Sequence, residues 1–341
     1  MDIKLINESQ KKQWDKYVSD NPNSIAWQAY DWSLVLKKHY DVQFFPIAAF
    51  SNSKICGILP LYAIKNFMKP LKFISVPHAV AGGIVADTDE IASDLLNFSI
   101  DFVKEKGGNN ITFKQYKYKI KKPLRTDENY YNRELTLTDD RGFIYENFAP
   151  LNKFYLDYSE KYDPELIYPS SDTEAFFKLL SLYHKNQGIP CDSKAWIRDL
   201  IDFGMYSVAL LLYDNRIVAG TMVKKFKKTV SFPFTCIPNE SETSIMFACR
   251  LYWELIQKFS TDGFEIFHSG RIPITDKAAS FRLGWGGKKY TYYYQYYPTE
   301  TTKTEFSKKH NPKRELFQTV WKHIPVSVTS TFGPAIKQYF P

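Results

Sequence analysis

The chain has 341 residues, 44% of them hydrophobic, and a formal net charge of +8 at pH 7. This length suggests about two domains with sizeable cores, and no stretch approaches the ~18 uncharged apolar residues of a membrane span. The first residues, MDIKLINESQKKQW, lack the apolar segment of a signal peptide, so we expect a cytoplasmic protein. The basic excess favours anionic partners such as phosphates, nucleic acid or acidic membrane surfaces, but solubility explains it equally well.

The cysteines are widely separated and form no CxxC pair. They are Cys56, Cys191, Cys236 and Cys249. This spacing argues against a disulfide framework and against a zinc site. We therefore predict small buried thiols and no metal centre.

The first half reads, in chain order, as two amphipathic helices, a hairpin, a strand, a long helix and a last strand. Their predicted ranges are 9–19, 28–40, 42–50 with 54–64, 71–76, 91–106 and 109–116. A turn at residues 51–53 joins the hairpin, Thr88 caps the long helix, and Gly107 and Gly108 end it.

The second half repeats this order after a segment at 139–172 that we expect to hold the crossover. The predicted helices, hairpin, strand, long helix and strand cover 173–186, 193–202, 205–213 with 216–226, 229–237, 240–260 and 264–270. The turn of the second hairpin is predicted at Asp214 and Asn215.

Two pairs of glycines support an internal duplication. Gly57 and Gly220 in the hairpins, and Gly107 and Gly263 after the long helices, are each separated by about 160 residues. The fold class is therefore α/β (α+β), a tandem of two similar units with mixed sheets and flanking helices. We expect domains at 1–150 and 151–341, with a ligand cleft between them and a helical tail at the end of the second.

The basic segment KQYKYKIKKPLR, at residues 114–125, alternates cations with Tyr or Ile. This pattern is typical of an exposed strand edge. It would also suit a phosphate backbone, so an RNA-binding module is an alternative interpretation of the chain.

Several motifs, in this order, resemble the FemAB family, whose members carry two GNAT (N-acyltransferase) folds in one chain. They are WQAYDWS, GILPL, PHAVAGG, HSGR, SFRLGWG and the C-terminal NPKRELFQTVWKHIPVSVTSTFGPAIKQYF. The C-terminal segment resembles FemAB-like proteins linked to exopolysaccharide and exosortase loci. The resemblance covers nearly the whole chain.

The resemblance implies transfer of an acyl or aminoacyl group onto an amine or hydroxyl of a cell-envelope or exopolysaccharide precursor. The co-substrate would be acyl-CoA or aminoacyl-tRNA, with no tightly bound cofactor. The acceptor would be a small or lipid-linked saccharide or peptide, met in the cytoplasm or at the cytoplasmic face of the inner membrane. The alternative is a non-catalytic FemAB-like protein that binds a polysaccharide intermediate or a partner enzyme. The oligomeric state is left open.

Acyl transfer requires loss of a proton from the acceptor and stabilisation of charge on the carbonyl oxygen. The sequence shows no recognisable Ser-His-Asp or Cys-His arrangement. This favours direct attack by the acceptor over a covalent enzyme intermediate. Arg282, with Phe281 and Trp285 beside it, occupies the position of the family's carbonyl-facing lysine. An arginine binds an oxyanion or a phosphate but cannot act as a base. The alternative is a surface arginine beside a plain glycine turn.

His268 and Arg271 lie in the segment FHSGR, where the family often has F-D-F-G-R-S. His268 is the best general-base candidate, because its ordinary pKa lies near neutrality. Packing is the alternative role of His268. Arg271 either binds an anionic donor or pairs with a buried acid.

In the first half, Trp27, Tyr30 and Trp32 are candidates for an aromatic wall that stacks on a sugar or base, or else for core packing. His78, Gly82 and Gly83 match the place where the family binds its acceptor, and a turn there would present N–H groups to an anion. These six residues are candidates for substrate binding.

His184 is a weaker candidate for substrate binding near the end of a helix, where a charged ring would be stabilised by the helix dipole. The tyrosine-rich segment 290–297 is predicted to return into the sheet of the second half. Alternation places Tyr292, Tyr294 and Tyr296 on one face and Tyr293 and Tyr297 on the other.

Neither half contains the Q/R-x-x-G-x-G/A loop with which GNAT proteins usually hold the pyrophosphate of acyl-CoA. The nearest stretches are PHAVAGG and IPNESETS. The identity of the acyl donor therefore stays open between acyl-CoA and charged tRNA.

Overall fold

The computed structural model describes residues 1–66, 69–274, 284–300 and 312–337. Its α-helices are α1 Lys11–Asp20, α2 Tyr30–His39, α3 Asp89–Glu105, α4 Arg141–Glu146, α5 Pro150–Ser159, α6 Thr173–Asn186, α7 Lys194–Asp202, α8 Glu242–Thr261, α9 Pro312–His323 and α10 Val326–Lys337. Its strands are β1 Asp2–Leu5, β2 Val42–Ser51, β3 Lys54–Asn66, β4 Lys69–Ile74, β5 Val85–Ala86, β6 Ile111–Tyr116, β7 Arg125–Thr136, β8 Glu165–Ser170, β9 Ser207–Tyr213, β10 Arg216–Phe226, β11 Thr229–Ser231, β12 Ile266–His268, β13 Ile272–Pro273 and β14 Lys288–Tyr297.

Both predicted hairpins and the predicted helix cap are confirmed. Asn52 and Ser53 join β2 to β3, and Asp214 and Asn215 join β9 to β10, all with positive φ. Two consecutive positive φ angles match the right-handed twist of the flanking strands. The side chain of Thr88 accepts a hydrogen bond from the N–H of Ile91, which satisfies one of the open donors at the start of α3.

The chain divides into two compact units. Unit 1 comprises Met1–Tyr131 and Tyr290–Lys309, and unit 2 comprises Asn132–Lys289 and His310–Pro341. The predicted domains at 1–150 and 151–341 stay a prediction, because spatial clustering and sequence duplication are different properties.

Unit 1 contains a mixed sheet whose strands lie in the order β1-β2-β3-β4-β6-β14. The pair β4–β6 is parallel and its neighbours are antiparallel. Helix α3 packs on β2 and β3. The core between them contains Ile47, Leu59, Phe73, Leu95 and Phe113.

The tyrosine-rich strand β14 pairs with β6 in unit 1, so the prediction that it joins the sheet of the second half is wrong. The predicted faces are confirmed. Tyr292, Tyr294 and Tyr296 are buried together on one face, while Tyr297 packs against the core on the other. Alternation sets the faces of a strand but says nothing about its partner.

Unit 2 contains strands in the order β7-β12-β11-β10-β9-β8, with β11 and β12 parallel. Helices α5 and α8 pack together, and α8 also packs on β10. The core on this side includes Leu135, Val230, Leu251, Leu255 and Phe267. The predicted strand at 229–237 is shorter than expected. It ends at Ser231, and only a single bridge from Cys236 to Gly220 continues it.

Two other sequence interpretations need correction. The basic segment 114–125 is not an exposed edge, because β6 lies between β4 and β14 and Lys114 is buried. Beyond β6, Lys121 pairs with Asp89 at 2.6 Å. The crossover segment 139–172 contains α4, α5 and β8, which its mixed composition did not reveal.

No helix in the described ranges combines the length and apolar character that crossing a bilayer requires.

Candidate active site

Four polar residues form a row across adjacent strands of unit 2. Lys224 of β10 lies opposite Ser231 of β11, Ser231 lies beside His268 of β12, and His268 lies opposite Glu134 of β7. Directly neighbouring residues on paired strands project from the same face of a sheet. The row therefore places an amine, a hydroxyl, an imidazole and a carboxylate on one face.

The opposite face of the same strands is apolar. Leu135, Val230 and Phe267, each one residue away from a member of the row, belong to the core under α8. Gly220 of β10, on the same face as Lys224, approaches Phe176 and Leu179 of α6. The polar row is thus on the α6 side of the sheet, and the hydrophobic core under α8 is on the other.

His268 is half-buried, and its Nδ1 accepts a hydrogen bond from the N–H of Gly270 at 3.0 Å. In a neutral imidazole with an acceptor at Nδ1, the proton is on Nε2. His268 is therefore arranged to donate from Nε2. Its role as general base stays a prediction, and the bond from Gly270 competes with proton uptake at Nδ1.

Arg133 connects the His268 segment to the glycine-rich loop at 284–287. Its N–H bonds to Oγ of Ser269 at 2.9 Å, and its carbonyl accepts from the N–H of Ser269 at 3.0 Å. Its guanidinium Nη1 donates to the carbonyl of Gly287 at 2.9 Å. Arg133, which precedes Glu134 in β7, therefore holds both the His268 segment and the loop at 284–287.

Glycine is required in this loop because the backbone of other segments approaches it closely. Gly286 and Gly287 have φ of 74° and 87°, a region that side chains disfavour. A Cβ on Gly286 would collide with the carbonyl of Asn147, and one on Gly287 with the carbonyl of Glu134. The loop therefore packs against the strand that contributes Glu134 to the row.

Trp285 is fully buried, at 0% exposure, in the core of unit 2. Its ring stacks on Tyr252 with centroids 5.2 Å apart and meets the edge of Phe148 at 5.0 Å. It therefore has no exposed surface in this structure for the predicted substrate contact. Arg282 and Phe281, the other predicted residues of this motif, lie outside the described residues. Arg271 follows Gly270 and is half-buried.

In unit 1 the structure brings together the segment of the predicted aromatic wall and the segment of the predicted acceptor site. Trp32 donates from Nε1 to the carbonyl of Pro77 at 3.4 Å, and Gln28 donates to the carbonyl of Gly83 at 2.8 Å. Tyr30 and Trp32 are buried, so they act in packing. Trp27 keeps partial exposure.

The loop that contains His78, Gly82 and Gly83 is held from within unit 1. Both glycine N–H groups donate to the carbonyl of Lys114 at 2.9 Å, so the predicted presentation of these donors to an anion is not what the structure shows. His78 has a φ of 53° and stacks on Tyr40 with centroids 3.8 Å apart. His78 is half-buried and remains a candidate.

His184 lies near the end of α6 with Nδ1 buried and without a hydrogen-bond partner among the described residues. Burial lowers the pKa of His184 to about 4, against a smaller opposing effect of Asp192. The ring is neutral at pH 7, so the charged histidine considered from the sequence is not present at the helix end.

Sequence reasoning missed Lys224, Ser231, Glu134 and Arg133. Burial lowers the pKa of Lys224 well below its ordinary value. A signal existed in VKKF, because alternation in a strand turns one of two adjacent lysines inward. The alignment of Lys224 with His268 could not be predicted from the sequence, because it depends on the registers of two strand pairs, β10–β11 and β11–β12.

Within the residues that the structure describes, no group of three or more His, Cys, Asp or Glu side chains is placed to hold a metal ion. The prediction of buried thiols is confirmed, since all four cysteines are free and buried.

Solved structures share this fold. FemX matches with a TM-score of 0.67 at 12% identity, covering 86% of this chain and 97% of that one. L-PGS from Bacillus licheniformis matches at 0.54 and 12% identity, covering 94% and 99%. A tandem GNAT protein from the clavulanic acid biosynthesis pathway matches at 0.51 and 10% identity, covering 86% and 97%.

The chain has a FemAB-like tandem GNAT fold. This confirms the predicted fold class, including its two-fold repetition. The sequence itself matches no protein-family model and no curated protein. At these identities the likeness concerns the fold, so the chemistry has to be argued from the residues of the site.

Proposed function

We propose that this protein is an N-acyl- or aminoacyltransferase that acts on an amine or hydroxyl of a cell-envelope or exopolysaccharide precursor. The observation that carries the proposal is the row of Lys224, Ser231, His268 and Glu134 on a FemAB-like tandem GNAT fold. Such a row supplies a hydrogen-bond donor and proton-accepting groups on one sheet face, which acyl transfer needs.

The thiols of this chain favour direct attack of the acceptor over a cysteine-bound intermediate. All four cysteines are buried, and burial raises the pKa of the Cys56, Cys191, Cys236 and Cys249 thiols. A thiol acts as a nucleophile through its thiolate, which these surroundings disfavour.

In the proposed reaction, His268 stabilises the transition state. Its Nε2–H donates to the carbonyl oxygen as negative charge develops there, while Gly270 holds the tautomer through Nδ1. Glu134 lies beside His268 in the row.

The helix starts of both units disfavour an acyl-CoA whose pyrophosphate is held by helix N-terminal amides. In α3 the first turn contains Asp89 and Glu90, and in α8 it contains Glu242. The side chains of Thr88 and Ser241 already accept from the first amides. Carboxylates there would repel a pyrophosphate, which leaves charged tRNA as the donor to test first and acyl-CoA as the second.

The acceptor we propose is a small or lipid-linked saccharide or peptide, reached in the cytoplasm or at the cytoplasmic face of the membrane. The net charge of +8 would favour an anionic acceptor of this kind, such as a phosphate-linked sugar.

The test is transfer of a labelled acyl group by the purified protein. Pools of charged tRNA and of acyl-CoA are offered separately, with amino sugars and phosphate-linked precursor peptides as acceptors. We expect label in the acceptor from one donor class. His268→Ala should lower the rate roughly 100- to 1,000-fold, the usual cost of losing one oxyanion donor. His323→Ala, which alters an exposed histidine at the end of α9, is the matched control and should leave the rate unchanged.

The proposal fails if no donor yields labelled product while the protein still binds a precursor. That result would instead support a non-catalytic binding protein with this fold.

A further inference from the structure

Helices α9 and α10 form a hairpin in unit 2 whose solvent-facing side is apolar. Residues 324 and 325 join the two helices, and both helices contact α6. Trp321 of α9 and Thr329 of α10 are buried. Four large apolar side chains of the hairpin are exposed, and we call them the hairpin patch: Leu316, Val320, Val328 and Phe332.

The members of the hairpin patch come in pairs four residues apart, one pair on each helix. Residues at this spacing are neighbours on one face of a helix. Val320 and Val328 directly precede the buried Trp321 and Thr329, and consecutive helical residues point roughly 100° apart. Each helix therefore has one side packed on the protein and an exposed apolar side next to it. Contiguous exposed apolar surface of this kind marks an interaction site.

The sequence around the hairpin patch is basic. Residues 301–341 contain seven Lys or Arg and two Glu, a formal net charge of +5 out of +8 for the whole chain. Lys322, in the last turn of α9, is exposed. Helices that combine an apolar face with cationic residues bind at the surface of anionic bilayers, where the apolar side chains enter the boundary between headgroups and acyl chains.

A second exposed apolar stripe in unit 2 has the opposite charge. Helix α5 exposes Leu151, Phe154 and Tyr158. Phe154 is 59% exposed, about as much as Phe332 at 61%. The segment 139–163 around it contains six Asp or Glu and three Lys or Arg, a net charge of −3. Exposed apolar surface is thus common to both helical regions, and only the hairpin combines it with positive charge.

The charge of the hairpin also decides between occupants. Two copies of this chain would bring two segments of +5 together, which like-charge repulsion disfavours. RNA is bound chiefly through its phosphates, and the aliphatic side chains of the hairpin patch offer these no hydrogen bond. An anionic bilayer supplies both an apolar layer and negative charge.

We propose that the hairpin patch docks on an anionic lipid surface, with Lys322 among the headgroups. The inference goes beyond the proposed function, because lipid binding requires neither a donor nor an acceptor of acyl groups. The hairpin patch belongs to helices that lie outside the polar row, so the two can be tested separately.

The test is flotation of the purified full chain with vesicles. Vesicles of phosphatidylcholine alone are compared with vesicles that also contain phosphatidylglycerol, without any acyl donor or acceptor. We expect the protein to float with the anionic vesicles and to stay behind with the neutral ones. Added sodium chloride should weaken the binding, because it screens the attraction between the lysines and the headgroups.

Three substitutions of exposed residues identify the surface, after thermal unfolding has shown that each variant is folded. Phe332→Ser should weaken binding to anionic vesicles roughly tenfold, because it removes a large apolar side chain from the interface. Lys322→Glu should also weaken it roughly tenfold, because it reverses a charge at the headgroups. Phe154→Ser, on the acidic α5 stripe, is the matched control and should bind like the unaltered protein. Leu316→Ser is a second apolar variant with the same expected loss as Phe332→Ser.

The proposal is overturned if the protein floats with neither kind of vesicle, or if Phe332→Ser and Leu316→Ser bind as well as the unaltered protein. Sedimentation that shows a dimer, converted to a monomer by Phe332→Ser without lipid binding, would make the hairpin patch an interface between copies. Loss of tRNA binding in Lys322→Glu, with vesicle binding unchanged in all variants, would assign the basic segment to RNA and also overturn the proposal.

Discussion

The two units each bury a lysine in their sheet, and the two lysines have different surroundings. Lys114 in unit 1 is 2% exposed, donates from Nζ to the carbonyl of Ala79 at 3.1 Å, and lies 5.9 Å from the ring centroid of Tyr294. Lys224 in unit 2 is aligned with a serine, a histidine and a carboxylate. The same residue type thus anchors a loop in one unit and faces reactive groups in the other.

The two units also differ in how a loop of each is held. In unit 1 the loop of residues 77–83 is tied to Lys114 through both its backbone carbonyl and its amine. In unit 2 the loop of residues 284–287 is held by Arg133 and by glycines packed against the backbone. The described contacts that hold the two loops therefore come from a lysine in unit 1 and from an arginine and glycine backbone in unit 2.

The largest effect is expected for Gly287→Ala, which tests how unit 2 holds its loop. The positive φ and the collision with the carbonyl of Glu134 should together lower the free energy of unfolding by about 3 kcal/mol. Gly204→Ala is the matched control, because Gly204 has a φ of 69° but no atom within 4 Å of a Cβ. That control should cost about 1 kcal/mol. Urea unfolding measures both, and equal costs would contradict the proposed backbone packing.

Lys114→Met should destabilise the protein by about 2 kcal/mol, because it leaves the buried carbonyl of Ala79 without this donor. Chemical denaturation measures the change. A variant as stable as the unaltered protein would show that the loop of unit 1 does not depend on this lysine.

Acid should destabilise unit 2 through His184. Its folded pKa of about 4 lies below its unfolded value of 6.5, so the stabilisation is complete above pH 6.5 and declines as the pH falls towards 4. At pH 5 the loss is about 2 kcal/mol at most. Replacing the residue in His184→Gln should flatten the dependence of Tm on pH in this window, whereas the exposed-site variant His323→Gln should not. Parallel curves for both variants would contradict the assignment.

The smallest stability effect is expected for Lys224→Met. Burial disfavours the charged form of this amine, so its removal should lower the free energy of unfolding by less than about 1 kcal/mol. Denaturation side by side with Lys114→Met gives the contrast. Equal destabilisation by both substitutions would mean that both lysines are structural.

The sequence predicted the elements well where hydrophobic period and turn residues agree. The two hairpins, the Thr88 cap and the faces of the tyrosine strand follow from local rules that involve residues near in sequence. The partner of β14 did not follow, because either sheet could accept a strand with two apolar faces.

The candidate site was predicted only in part. His268 was recognised from its motif, but the bond from Gly270 that makes it a donor depends on the local turn of the chain. Lys224 and Lys225 are indistinguishable in composition, and their difference arises from strand register. Trp285, placed at the site by its motif, proved to be core because Tyr252 and Phe148 enclose it.

The titration of Lys224 tests most directly the claim that the polar row of unit 2 contains a buried amine with a lowered pKa. Protein labelled with ¹⁵N at the lysine Nζ positions can be titrated by NMR, with the signal of Lys224 identified by its loss in Lys224→Met. The account predicts a pKa well below the 10.5 of an ordinary lysine, set by burial, while the signal of exposed Lys225 titrates in the ordinary range. A Lys224 signal that titrates together with the surface lysines would contradict the account.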